Sequence, residues 1–183
     1  MAISGSLSLT RRRFLVAAGL AVAAPSATGA QESSASPVDL PKAVRLNDGD
    51  PPTYLLVFHT GQEVTQGLLA FARKHGLVAG HLTGIGAISD AVLGYFDPQK
   101  KVYLRNQEKG QAEVLSLTGN LALFDGQPFF HIHVALGLRD GSTRGGHLFE
   151  ARVHPTVEVV LTTYSKPVHR TIDQDSGLPL LDP

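Results

Sequence analysis

Apolar and polar positions along this chain follow two periods, one near 3.6 residues and one near 2. The run "YLLVFHT", Tyr54 to Thr60, is short, apolar and β-favouring, and predicts a buried strand. In "GQEVTQGLLAFARKHG", Val64, Leu68, Phe71 and Ala72 recur at helical spacing. Arg73, Lys74 and His75 fall in its last turn and Gly76 stops it, so 63–75 reads as an amphipathic helix. "VAGHLTGIGAISDAVLGYFD" is rich in glycine and β-branched residues, and predicts two strands joined by a kink near Ser89-Asp90. "KVYLRNQ" and "QAEVLSLTGNLALF" predict two more. "PFFHIHVALGL" is a strand between turn signals at Asp125-Gly126 and Asp140-Gly141. "GGHLFEARV" and "TVEVVLTTY" close the series. One main helix followed mostly by strands is α+β with a largely antiparallel sheet.

The flanks read differently. Residues 31–52, "QESSASPVDLPKAVRLNDGDPP", are polar and predict a linker that becomes an arm entering a domain over 53–166. Residues 167–183 form a tail of weak pattern. At the other end, Thr10-Arg11-Arg12-Arg13-Phe14-Leu15 resembles the twin-arginine export motif. The apolar run Phe14 to Ala24 is too short to span a bilayer of about 30 Å. It suits the apolar segment of a signal peptide over 1–30, with Thr28-Gly29-Ala30 as a cleavage site. The expected location is periplasmic.

Cleavage changes the charge. The chain has 16 basic and 16 acidic residues, and removing Arg11, Arg12 and Arg13 leaves a net charge of about −3 with histidines neutral. A nucleic-acid binder shows a basic patch or stripe, and the basic pairs Arg73-Lys74 and Lys100-Lys101 are short. There is no cysteine, which excludes disulfides and thiolate ligands and fits a metal site built on histidines.

Three of the eight histidines lie in "FFHIHVALGLRDGSTRGGHL". His131 and His133 are two apart on a strand and project to one face. A hairpin centred on Asp140 sets His133 opposite His147, and directly opposed residues share a face with Cβ atoms about 4.5–5.5 Å apart. Three imidazoles so placed can hold Zn²⁺ at about 2.0–2.1 Å and leave one position open. A one-residue slip would send His147 to the other face, and the residues would then be unrelated core and surface histidines. A fourth ligand, from His59, His81 or a neighbouring subunit, would favour a structural role for the metal. Glu113 and Glu150 are the acid–base candidates, although Glu150 is three residues from His147 and by strand parity faces away. Arg144 can meet an anionic substrate or simply be solvated.

The segments "LTGIGAISDAVLGYFD", "EVLSLTGNLALFDGQPFFHIHVALGLRDGSTRGGHL" and "VEVVL" together resemble the plants-and-prokaryotes-conserved (PPC) domain, also called DUF296, over about residues 54–164. The resemblance implies an α+β domain that assembles as a homotrimer. It implies that His131, His133 and His147 match family positions able to bind zinc in prokaryotic members. The implied fold is similar to that of acetolactate decarboxylase, which holds zinc through His-x-His and a later histidine. No activity follows, because fold does not fix function. The three histidines and the open position leave two readings, a metal-dependent enzyme on a small substrate or a binding and assembly module with a structural metal. Plant members pair the domain with an AT-hook. No such segment is present here, so DNA binding is not carried over.

Overall fold

A computed structural model describes residues 38–182. The twin-arginine motif, the cleavage site and the first part of the linker lie outside them. The described residues form nine elements: β1 (Lys42–Arg45), β2 (Thr53–His59), α1 (Val64–Lys74), β3 (Gly80–Asp97), β4 (Val102–Phe124), β5 (Gln127–Gly137), β6 (Thr143–Thr163), β7 (His169–Ile172) and β8 (Pro179–Asp182).

The sheet runs β1-β2-β6-β3-β4-β7-β8, with β5 joined to both β4 and β6. All strand pairs are antiparallel except the single β4–β7 pairing. Because β3 pairs β4, β4 pairs β5, β5 pairs β6 and β6 pairs β3, the hydrogen bonding of these four strands closes on itself. Closure removes the open edges that an isolated hairpin would expose.

The predicted two-strand segment at 78–97 is one strand. Its kink survives as a register shift between Ile88 and Asp90 in both the β4 and the β6 ladder. The two segments expected in 101–124 are likewise one strand, as are the two expected in 145–164. The flanks also carry strands. β1 pairs with β2, and the C-terminal tail forms the β7–β8 hairpin.

One face of the sheet is covered by α1. Val64, Leu68, Phe71 and Ala72 are buried against Leu56, Phe58, Leu82, Leu121, Ile132 and the β6 valines. Helix and sheet approach closely because residue 67 is glycine: a Cβ there would stand 2.5 Å from the Phe58 ring. Glu63 caps the helix. Its carboxylate accepts from the backbone N–H groups of Thr65 and Gln66 at 3.1 and 2.6 Å, and from Ala151 of β6 at 2.9 Å. One side chain thus satisfies two orphan helix donors and ties the helix start to the sheet. Gly76, at φ +61°, ends the helix as expected.

Candidate metal centre

The hairpin register falls where the Asp140 midpoint puts it. His133 pairs with His147, Gly137 with Thr143, and the chain turns through residues 138–142. The Asp140 carboxylate fixes the turn by accepting from the Ser142 amide and hydroxyl at 2.9 and 2.6 Å, which holds its pKa below the usual range. Ile132, Val134 and Leu136 enter the core, so His131 and His133 project from the opposite face. His147 sits where β6 pairs with β5 on one side and, through Gly94, with β3 on the other.

The three histidines therefore converge. One ring nitrogen from each lies within 4.8 Å of the other two. The Nε2 atoms of His131 and His133 are 3.1 Å apart. Two ligands of a tetrahedral zinc at about 2.0–2.1 Å stand roughly 3.3 Å apart, so this spacing is close to that of a shared ion. The Nδ1 atom of His147 is buried with no hydrogen-bond partner, a costly state for a polar atom unless something meets it. Burial holds His147 well below its ordinary value, to about 4, with the neighbouring His131, His133 and Arg105 charges adding to the effect. His131 is lowered by burial, then by His133 and Arg170. Neutral imidazoles with free lone pairs are the form a metal requires. The donor set, three nitrogens and no thiolate, suits zinc and other borderline cations.

Among the described residues the group contains these three histidines and no fourth ligand. His81 lies outside it, with Nδ1 at 2.6 Å from the Tyr164 hydroxyl. His59, at the end of β2, is also outside it and pairs with Thr156. Glu113 pairs with Gly137, four residues along β5 from His133. At about 3.3 Å per residue that is roughly 13 Å, beyond hydrogen-bond reach. Arg144 pairs with Glu108 at 3.3 Å. Glu150 comes closer than strand parity suggests. The β3 register shifts between Val92 and Leu93, leaving Phe149 as an extra residue on β6. Glu150 stands 4.0 Å from Arg105, whose guanidinium lies 4.0 Å over the Phe149 ring. It reaches the histidines only through Arg105.

Several residues around the site carry no motif. Tyr103 and Phe149 pack on His147 with ring centroids at 5.0 and 4.8 Å. Gly94 leaves them room, since a Cβ there would meet Phe149 at 2.6 Å and Tyr103 at 2.9 Å. His131 and His147 also line a cavity of about 260 Å³ with Tyr103, Phe129, Phe149, Arg170 and the start of β8.

The depressed His147 value has a consequence for stability. The unfolded chain takes up a proton near pH 6.5, whereas the folded one does so only near 4. The unfolded state therefore binds more protons between these values, and stability rises with pH across that window. The metal-free protein should lose about 1–2 kcal/mol between pH 6.5 and 4, solvent at the site screening part of the full effect. Above pH 6.5 the contribution is constant. Calorimetry of chelator-treated protein at pH 7 and pH 5, beside His147→Gln, checks this. A melting temperature that does not fall towards pH 5, or that falls equally in the variant, would sink it.

Comparison with known proteins adds context. The family model for the Plants and Prokaryotes Conserved (PCC) domain matches residues 47–165. The chain is 36% identical over 118 residues to the bifunctional protein GlmU of Synechococcus sp. (strain JA-3-3Ab), a match covering 63% of this chain and 18% of that protein. It therefore spans less than a fifth of that relative's length. Among solved structures, a candidate DNA-binding protein from Bacteroides thetaiotaomicron is 30% identical, with a TM-score of 0.74, covering 79% of this chain and 98% of that one. A metal-containing protein from Archaeoglobus fulgidus is 34% identical, with a TM-score of 0.67, covering 79% and 99%.

Proposed function

Since the chain belongs to the Plants and Prokaryotes Conserved domain family, we propose that it is an exported zinc-binding member that forms a homotrimer and takes a small oxygen-rich molecule beside the metal. The observation that carries this reading is the convergence of His131, His133 and His147, one nitrogen from each within 4.8 Å. A zinc ion held by three imidazoles keeps a coordination position for an outside ligand and serves as a Lewis acid on it. The protein's own contribution is placement. The β5–β6 register aims the rings, the buried strands hold them, and Tyr103 and Phe149 shield His147 from water. The metal-containing relative from Archaeoglobus fulgidus supports the reading.

Export rests on the Thr10–Leu15 motif. Trimer formation rests on the family and on apolar side chains turned away from the core. Ile85, Leu115 and Tyr95 are 60%, 55% and 65% exposed, and such surface is a common site of association. Elemental analysis of the purified mature protein, with sedimentation equilibrium on the same sample, tests both parts. One zinc per chain and a mass of three chains are expected. A metal-free monomer that takes up no zinc on dialysis contradicts both.

DNA binding is a second reading, kept by the relative from Bacteroides thetaiotaomicron. The balance of 13 basic and 16 acidic residues after residue 30 weighs against it. Salt-dependent binding of the mature protein to duplex DNA would favour it.

A further inference from the structure

The C-terminal hairpin lies beyond the family match, which ends at residue 165. It is a built element. Asp173 accepts from the Ser176 amide and hydroxyl at 2.7 and 2.6 Å, Gly177 takes φ +73°, and four residue pairs join β7 to β8. The Leu123 amide donates to the Val168 carbonyl at 2.8 Å, which docks the hairpin on β4.

Docking brings Arg170 to the histidines. Arg170 is only 6% exposed. One terminal nitrogen donates to the Pro179 carbonyl at 2.8 Å, and the other donates to Asn120 Oδ1. Asn120 is the direct cross-strand partner of His131. The guanidinium lies 5.2 Å from the Phe129 ring centroid. Its Nε is buried with no partner, and no carboxylate among the described residues forms an ion pair with it.

A buried guanidinium without a counter-ion is expensive, and one that lines a cavity has room beside it for one. The cavity it lines is about 260 Å³, smaller than the roughly 300–1,000 Å³ of drug-sized sites, and its other walls are mostly apolar. Each terminal nitrogen already gives one of its N–H groups to a protein oxygen, so three of the guanidinium's five N–H groups remain. Among the described residues, Arg170 is the only Lys or Arg lining the cavity, so one monoanionic carboxylate matches its charge, whereas a phosphate carries more charge than this one cation balances.

We propose that the β7–β8 hairpin makes this cavity a binding site for a small carboxylate with an apolar body, the carboxylate meeting Arg170 and the body lying against Phe129, Phe149 and Leu180. The inference deepens the proposed function and rests on it for the ion bordering the same cavity through His131 and His147. It explains why the chain carries a hairpin outside the family domain. Arg170 here is a specificity residue, and it works with or without the metal.

The test is calorimetric titration of the mature protein, zinc-loaded and chelator-stripped, with phenylacetate, its neutral analogue phenylacetamide, and inorganic phosphate. Phenylacetate should bind at least tenfold tighter than the amide or phosphate in both forms. In Arg170→Gln the acid-over-amide preference should fall below twofold while zinc content stays unchanged. Arg170→Lys, which keeps the charge, should retain part of it. Should Arg170→Gln fail to fold, the Lys variant and the wild-type comparison decide, with amide shift changes expected at Phe129, Phe149 and Leu180. Equal binding of acid and amide by wild type, or an undiminished preference in Arg170→Gln, overturns the proposal. Acid preference without zinc uptake upholds it and defeats the zinc reading. Zinc uptake without acid preference does the reverse.

Discussion

His131→Ala combined with His133→Ala should abolish zinc retention and leave the fold standing. The double change removes two of three nitrogen donors and leaves His147 alone. Loss of an outer-shell partner already weakens a metal site about 10–100-fold. Loss of two direct ligands should exceed roughly a thousandfold. The cost to the fold is small because these side chains project away from the core, where Ile132 and Val134 remain buried. His133 is exposed and His131 only half-buried, so truncation opens no core cavity. A stability change within about 1 kcal/mol is expected. His81→Ala is the control, since His81 bonds Tyr164 away from the group. Metal content by elemental analysis and the thermal melt, taken on the same preparations, separate loss of ligand from loss of structure. Full zinc content in the double variant would place the metal elsewhere.

Gly86→Ala should show the largest loss of stability. Gly86 has φ +144°, a conformation that side chains rarely adopt. A Cβ there would stand 2.3 Å from the Thr156 carbonyl oxygen and 2.6 Å from the Val157 Cα, both backbone atoms of β6. Neither can swing aside as the end of a side chain can. Relief requires β3 to part from β6 at the centre of the sheet, next to fully buried Val157 and Ile88. Strain of about 1–3 kcal/mol adds to overpacking of about 1–3 kcal/mol. The sum of roughly 2–6 kcal/mol corresponds to a fall of about 4–24 °C in Tm for a chain of this size. Gly126→Ala, in the β4–β5 turn with open space around it, should cost less, because only its φ of +73° is at issue. Equal melting temperatures for the two variants would contradict the argument.

The residues that made the site legible were the close ones. His131, Ile132 and His133 report their faces by strand parity, and Asp140-Gly141 marks a turn whose midpoint sets His133 against His147. The helix was legible from both its period and its ends, even with glutamate as the cap. The long strands were harder to see. Residues 104–111 of β4 are mostly exposed and polar, so no apolar period bridges them. Pro155 reads as a strand end, yet it sits inside β6. It falls in a gap of the sheet ladder, where neither β2 nor β3 is opposite it, and so no ladder bond is lost.

Parity itself failed at Glu150, because Phe149 is an inserted residue that no pattern announces. Tyr103, Phe129, Phe149 and Arg170 come from four different strands, and only the fold brings them to one cavity. The tail holding Arg170 is too short and too exposed for its apolar positions to show a period.

The most direct test of the central claim is a crystal of the zinc-loaded protein measured with anomalous scattering at the zinc edge. One ion is expected per chain, bound by one nitrogen each of His131, His133 and His147 at about 2.0–2.1 Å, with a non-protein ligand completing the tetrahedron. An ion bound elsewhere, or His131 and His133 joined only by a hydrogen bond between their Nε2 atoms with no anomalous peak beside them, would contradict it.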